Sequence, residues 1–176
     1  MALSRKSAFQ EHAAKVLASF NEGMKDASVY QILTEEDEAF KSVKVQNFQT
    51  QFLCAQLALI AQTWEVNCRN EGMAEADYSK AFLRKIMEAF QNPDQVQAAS
   101  IFSEYYSAPE MEDQDSASSA LASMIFKRLG QQPTFKGESG KTLIRPAFYQ
   151  LVGALESLRT SFENQFFDFL HMLNPN

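Results

Sequence analysis

The sequence predicts an all-α protein: one domain, packed as a mostly antiparallel bundle of five to seven helices. Three observations lead there. From Phe148 to Met172, the positions Phe148, Leu151, Leu155, Leu158, Phe162, Gln165, Phe169 and Met172 recur at alternating spacings of three and four. This is a helix with one apolar seam; from Pro146 to Leu173 it would be about 40 Å long, and it needs a partner surface of similar length. Second, the run Phe52 to Ala61 is apolar in almost every direction around a helix, the mark of a central one. Third, six Gly and five Pro sit mostly between the periodic segments and leave few turns for a many-stranded sheet.

The first helix is expected from Ser4 to Phe20, with Phe9, Ala13, Val16, Leu17 and Phe20 on its apolar face and Asn21 to Gly23 ending it. Ser28 to Leu33 reads as a short helical turn. Thr34, followed by Glu35, Glu36 and Asp37, then has the form of an N-cap with acids in the first turn, starting a second helix. That helix runs to Asn70, with an interruption near the β-branched Val43 and Val45, and Gly72 stops it. Its Phe48 to Val66 portion is the expected hub of the bundle.

Tyr78, Phe82, Ile86, Ala89 and Phe90 mark a third helix, ended by Asn92 and Pro93, and Pro93 suits the first position of a fourth that carries Ala98, Ile101, Phe102, Tyr105 and Tyr106. Residues 107–115 read as an exposed, acidic loop containing Pro109. A fifth helix follows from Ala117 to Leu129, capped by Asp115 or Ser116 and stopped by Gly130. Residues 130–145 read as a second loop, after which Pro146 opens the last helix. No internal repeat is apparent.

A chain of 176 residues is long enough to bury a continuous core unaided, and with fifteen Phe against one Trp and five Tyr that core should be rich in Phe. A formal charge of −6 and a pI near 5.0 oppose the phosphate-neutralising surface of a nucleic-acid binder. Cys54 and Cys68 share a helix face but lie about 21 Å apart on one helix, beyond disulfide reach, and read as reduced core cysteines. Arg5 and Lys6 precede no apolar signal segment, and the Phe52 to Ala61 run, closed by Gln62, is too short to span a bilayer. A cytoplasmic protein is expected. The basic, amphipathic residues 1–20 leave mitochondrial targeting as a weaker alternative, opposed by Glu11 and by the lack of clustered arginines.

Chemistry is sparse. Gly137, Glu138, Ser139, Gly140, Lys141 and Thr142 reproduce the tail of a phosphate-binding loop, but Phe135 stands where the first glycine belongs, and no strand is expected before it. What survives is an anion site made of Lys136, Gly137, Gly140, Lys141, Thr142 and Arg145, feeding the N-terminus of the last helix. Asp168 and His171 share a helix face without the partner ligands a di-metal bundle needs, so no metal is expected. Two histidines, no nucleophile elbow and no calcium loop leave no complete catalytic set, and no cofactor is expected.

The C-terminal segment exceeds one seam. Phe162, Phe166, Leu170 and Leu173 form a second stripe, beside Phe167 and Phe169. Such a helix is central to its own bundle, contacts a second subunit or lines an apolar pocket. Function is therefore read as a non-enzymatic interaction protein, its partner another protein or a second copy of itself. The alternative is a bundle that holds a small molecule, either an apolar one among the phenylalanines or an anion at the 136–145 loop.

Overall fold

The computed structural model describes residues 4–23, 27–92, 95–108 and 114–173. The chain is all-α with one small hairpin: α1 (Arg5–Gly23), α2 (Ser28–Glu36), a 3-10 turn (Glu38–Ser42), α3 (Val45–Asn70), α4 (Ala76–Ser79), α5 (Ala81–Ala89), α6 (Val96–Tyr106), α7 (Gln114–Arg128), β1 (Thr134–Lys136), β2 (Thr142–Ile144) and α8 (Pro146–Leu173). The five to seven expected helices become eight among the described residues, because α2 stands apart from α3 and Lys80 divides α4 from α5.

Ser4 caps α1, its Oγ accepting from the Ser7 amide at 3.2 Å, and the helix continues through Asn21 and Glu22 to Gly23. The helix thus ends at Gly23, the last residue of the expected Asn21 to Gly23 stop. The predicted cap at Thr34 is displaced. Thr34 lies inside α2, where its hydroxyl donates to the Gln31 carbonyl at 2.8 Å, and Glu35 and Glu36 close that helix instead of opening the next. Asp37 does the capping: with extended backbone, its carboxylate accepts from the Ala39 amide at 3.1 Å and starts the 3-10 turn that buries Phe40. The expected interruption near Val43 is real, since Val43 and Lys44 are both extended and α3 begins at Val45.

Along α3 every residue from Leu57 to Ala61 is buried, together with Cys54, Ala55 and Trp64, and the helix packs against α2, α4, α5, α6, α7 and α8. Gly72 stops it in the left-handed region at φ 71°, with the Met73 amide donating back to the Cys68 carbonyl and Gly72 to Arg69, a Schellman motif. Gly130 ends α7 the same way at φ 70°. At its start α7 includes Gln114, so Asp115 and Ser116 lie within the helix and not at its cap. Pro93, expected to open the fourth helix, and residues 109–113 of the acidic loop lie outside the described residues.

Aromatic contacts fix the helix directions. At one end Phe40 meets Phe48 at 5.8 Å and Phe126 at 5.6 Å, and Phe126 meets Phe148 at 5.4 Å. At the other end Trp64 meets Phe166 at 5.3 Å, Phe82 at 5.8 Å and Phe9 at 6.0 Å. The two long helices α3 and α8 therefore run parallel. In contrast, α7 runs antiparallel to both, and so does α1, whose Leu17 lies beside Leu53 and Leu57. No helix of the described residues is long and apolar enough to cross a membrane.

Candidate functional site

The segment read as a loop at 130–145 contains a β-hairpin. Thr134–Lys136 pairs with Thr142–Ile144 in antiparallel register, Phe135 opposite Leu143. β-branched and aromatic residues supply the strands and glycine supplies the turn. The Gly140 amide donates to the Gly137 carbonyl at 2.8 Å, Gly140 itself is left-handed at φ 74°, and the Gly137 amide donates to the Lys141 carbonyl at 2.9 Å. Glycine at 137 also answers a close approach: a Cβ there would lie 2.8 Å from Leu143 Cδ1.

Arg145 ties this hairpin to the bundle. Its Nη1 donates to both carboxylate oxygens of Asp37, at 3.1 and 3.2 Å, and its guanidinium lies 5.6 Å from the centre of the Phe135 ring. The Arg145 amide donates to the Pro133 carbonyl at 2.9 Å, which extends the pairing below the strands. Asp37 is buried, so the ion pair is partly shielded from water, and removing either partner strands a charge.

Of the expected anion site, Lys136, Gly137, Gly140, Lys141 and Thr142 gather at the turn end of the hairpin while Arg145 lies at its base opposite Pro133, and their polar groups are largely engaged. The Gly137 and Gly140 amides close the turn, the Arg145 guanidinium holds Asp37, and Thr142 Oγ1 accepts from Lys136 Nζ at 2.9 Å. At the start of α8, Pro146 has no N–H and the Phe148 amide donates to the Arg145 carbonyl at 3.0 Å. The Gly-Lys-Thr triplet leads into a strand and not into a helix, which removes the phosphate-loop geometry. Lys136 and Lys141 remain as exposed cations.

The C-terminal aromatic residues sit elsewhere. Phe162, Phe166, Phe169 and Leu170 are buried in this chain's own core, Leu173 is half-buried and Phe167 is exposed. Phe166 packs on Trp64 and Phe9, and Phe162 on Phe82 at 6.3 Å. Gln165, a position of the expected seam, is exposed, as are Asp168 and His171. The open groove between Leu17, Leu53, Leu57, Ile86 and Phe90, about 280 Å³, lies away from the C-terminal phenylalanines.

Three polar groupings carry no signal in the sequence. Between α3, α5 and α6, Lys80 Nζ donates to Glu65 and, at 3.1 Å, to the Tyr106 hydroxyl, which itself donates to Glu65. Burial pulls the Lys80 amine down, but its hydrogen bonds to Glu65 and Tyr106 outweigh that and hold it above its ordinary value. Between α7 and α8, buried Ser118 donates to Glu156 at 2.8 Å, and Arg159 bridges Glu156 and Glu163. The hydrogen bond from Arg159 keeps the Glu156 carboxyl below the usual range. On α1, His12 stacks on Phe169 with ring centres 4.0 Å apart, and burial, with Lys15 nearby, lowers its pKa. Burial pushes both Cys54 and Cys68 up to about 12, so neither is a ready nucleophile. Among the described residues no group of three or more His, Cys, Asp or Glu is placed to hold a metal ion.

No family model, no curated protein and no solved structure matches this chain.

Proposed function

We propose that this chain is a non-enzymatic interaction protein in which the helical bundle is the scaffold and the hairpin at 134–144 is the partner-facing element. One observation carries the reading. Within a short stretch of chain the hairpin leaves Phe135, Leu143 and Ile144 exposed by 39, 45 and 43%, on a bundle that buries most of its described phenylalanines. Exposed apolar side chains concentrated on an arm that is itself tied down by Arg145 suit a docking surface: the apolar area drives association, and the tether limits the ordering cost. The buried, free thiols of Cys54 and Cys68 agree with a reducing, cytoplasmic setting.

A photo-crosslinking amino acid at position 144, used in the cells that make the protein, tests the reading. A discrete product from position 144, absent from a control position at Glu88 on α5, is the expected result. Identical patterns from the two positions reject the hairpin as the partner-facing element. Native mass spectrometry of the same material separates the alternative, because a bound small molecule appears there as a discrete added mass.

A further inference from the structure

We infer that the outer edge of β2 receives an extended peptide carrying acidic and apolar side chains, as a third strand of the hairpin. This rests on the reading of the chain as an interaction protein and gives its partner a chemistry.

The register supplies the backbone part. Gly137 with Lys141 and Pro133 with Arg145 are hydrogen-bonded positions, so by alternation Phe135 with Leu143 is another. Thr134 opposite Ile144 and Lys136 opposite Thr142 are then the pairs whose N–H and C=O groups point away from the partner strand. Those outward groups of Thr142 and Ile144 have no hydrogen-bond partner among the described residues. They form the edge to which an added strand bonds. Ile144 and Leu143 project to opposite faces of that edge, so a third strand would find an exposed apolar neighbour on each side.

Charge selects the occupant. From residue 127 to residue 145 the chain carries Lys127, Arg128, Lys136, Lys141 and Arg145 against the single acid Glu138. Arg128 is paired with Glu104 and Arg145 with Asp37, whereas Lys127, Lys136 and Lys141 have no carboxylate partner among the described residues. Lys136 and Lys141 make the hairpin itself cationic on a chain of net charge −6, with Lys127 on α7. A second copy adding antiparallel through the same edge, Thr142 opposite Ile144, would set Lys141 against Arg145 of the other copy, and like charges on an edge oppose self-pairing. An acidic strand meets the same lysines favourably.

The test uses the full-length, ¹⁵N-labelled protein and a capped nine-residue peptide of alternating Glu and Val, read by amide hydrogen exchange. Saturating peptide is expected to slow exchange of the Thr142 and Ile144 amides about tenfold or more, an effect that weakens with added salt. A Lys-Val peptide is expected to leave them unchanged. Ile144→Pro removes one outward N–H from a position where the hairpin itself needs no donor, so it should abolish peptide binding while the Leu143 amide keeps its exchange rate. Unchanged exchange at Thr142 and Ile144 overturns the inference, as does protection confined to Thr134 and Lys136, or equal protection by the Lys-Val peptide. If crosslinking from position 144 succeeds while exchange is unchanged, strand addition is discarded and the interaction reading stands; if both fail, both are discarded.

Discussion

The two ends of the α3–α8 pair are built from the same kind of residue and put to different use. At the Trp64 end, Phe9, Phe82, Phe162 and Phe166 surround a fully buried indole, whose Nε1 donates to the Tyr78 carbonyl at 2.8 Å. At the Phe126 end, Phe40, Phe48 and Phe148 close a smaller aromatic group, and beyond it the chain leaves the bundle as a hairpin held by one ion pair. Both aromatic groups stabilise through area removed from water, but the hairpin beyond the second holds Phe135, Leu143 and Ile144 out in water at a fixed place. The number of phenylalanines in the sequence therefore does not reveal which of them are core. That depends on whether the segment has a second helix to lie against.

The largest effects should fall at the Trp64 end. Trp64→Ala and Phe166→Ala each delete a fully buried ring, and each is expected to cost about 3–5 kcal/mol in denaturant unfolding. Phe166→Asp would place a charge in that cluster and should leave no folded monomer. If Phe166→Asp remained a well-folded monomer, the close packing of this end would be refuted.

Next comes the tether. Arg145→Ala leaves the buried Asp37 carboxylate without its guanidinium, at an expected cost of about 2–3 kcal/mol. Arg145→Lys should recover only part of that, because an ammonium does not reproduce a guanidinium that also lies over the Phe135 ring. The informative signature is local: the amides of 134–144 should exchange faster in Arg145→Ala, while those near Trp64 lose protection only as far as global stability falls. Uniform loosening of both ends would remove the distinction between them.

These differences also explain what is legible in the sequence. The α8 boundaries Pro146 and Leu173, the central character of the Phe52 to Ala61 run and the break near Val43 are readable because helical period, capping residues and β-branching are local signals. The hairpin is not, since strands of three residues are too short to show alternation and the flanking Gly and Pro read as loop. Thr34 misleads because its acids suit a helix start equally well in the abstract, and only tertiary contacts place Asp37 beside Arg145, 108 residues away. The Glu65, Lys80 and Tyr106 group has the same character: no local pattern marks residues that meet only after α3, α5 and α6 have packed.

Mild acid should act on the Trp64 end through His12. This residue titrates near 6.5 when unfolded and lower when stacked on Phe169, so below about pH 6.5 the unfolded chain binds the extra proton first. Stability contributed by neutral His12 is therefore present above that pH and lost as pH falls toward the folded value. His12→Phe keeps the stack and removes the titration, and it should flatten the loss of Tm between about pH 7 and pH 5.5 by about 2 °C. An identical pH profile in the variant would show that His12 is not a proton-linked group.

The smallest stability effect belongs to the hairpin surface, and there the contrast between the ends is sharpest. Leu143→Ser or Ile144→Ser removes side chains that already meet water, so each should change stability by no more than about 0.5 kcal/mol, against several for a ring at the Trp64 end. On thermodynamic grounds alone such apolar residues bring the folded monomer little and make it more prone to associate. If these substitutions leave Tm unchanged yet weaken crosslinking from a neighbouring hairpin position, the apolar side chains serve a partner and not the fold. If they lower Tm by several degrees, Leu143 and Ile144 pack on the bundle more closely than their exposure indicates, and the hairpin belongs with the core end after all.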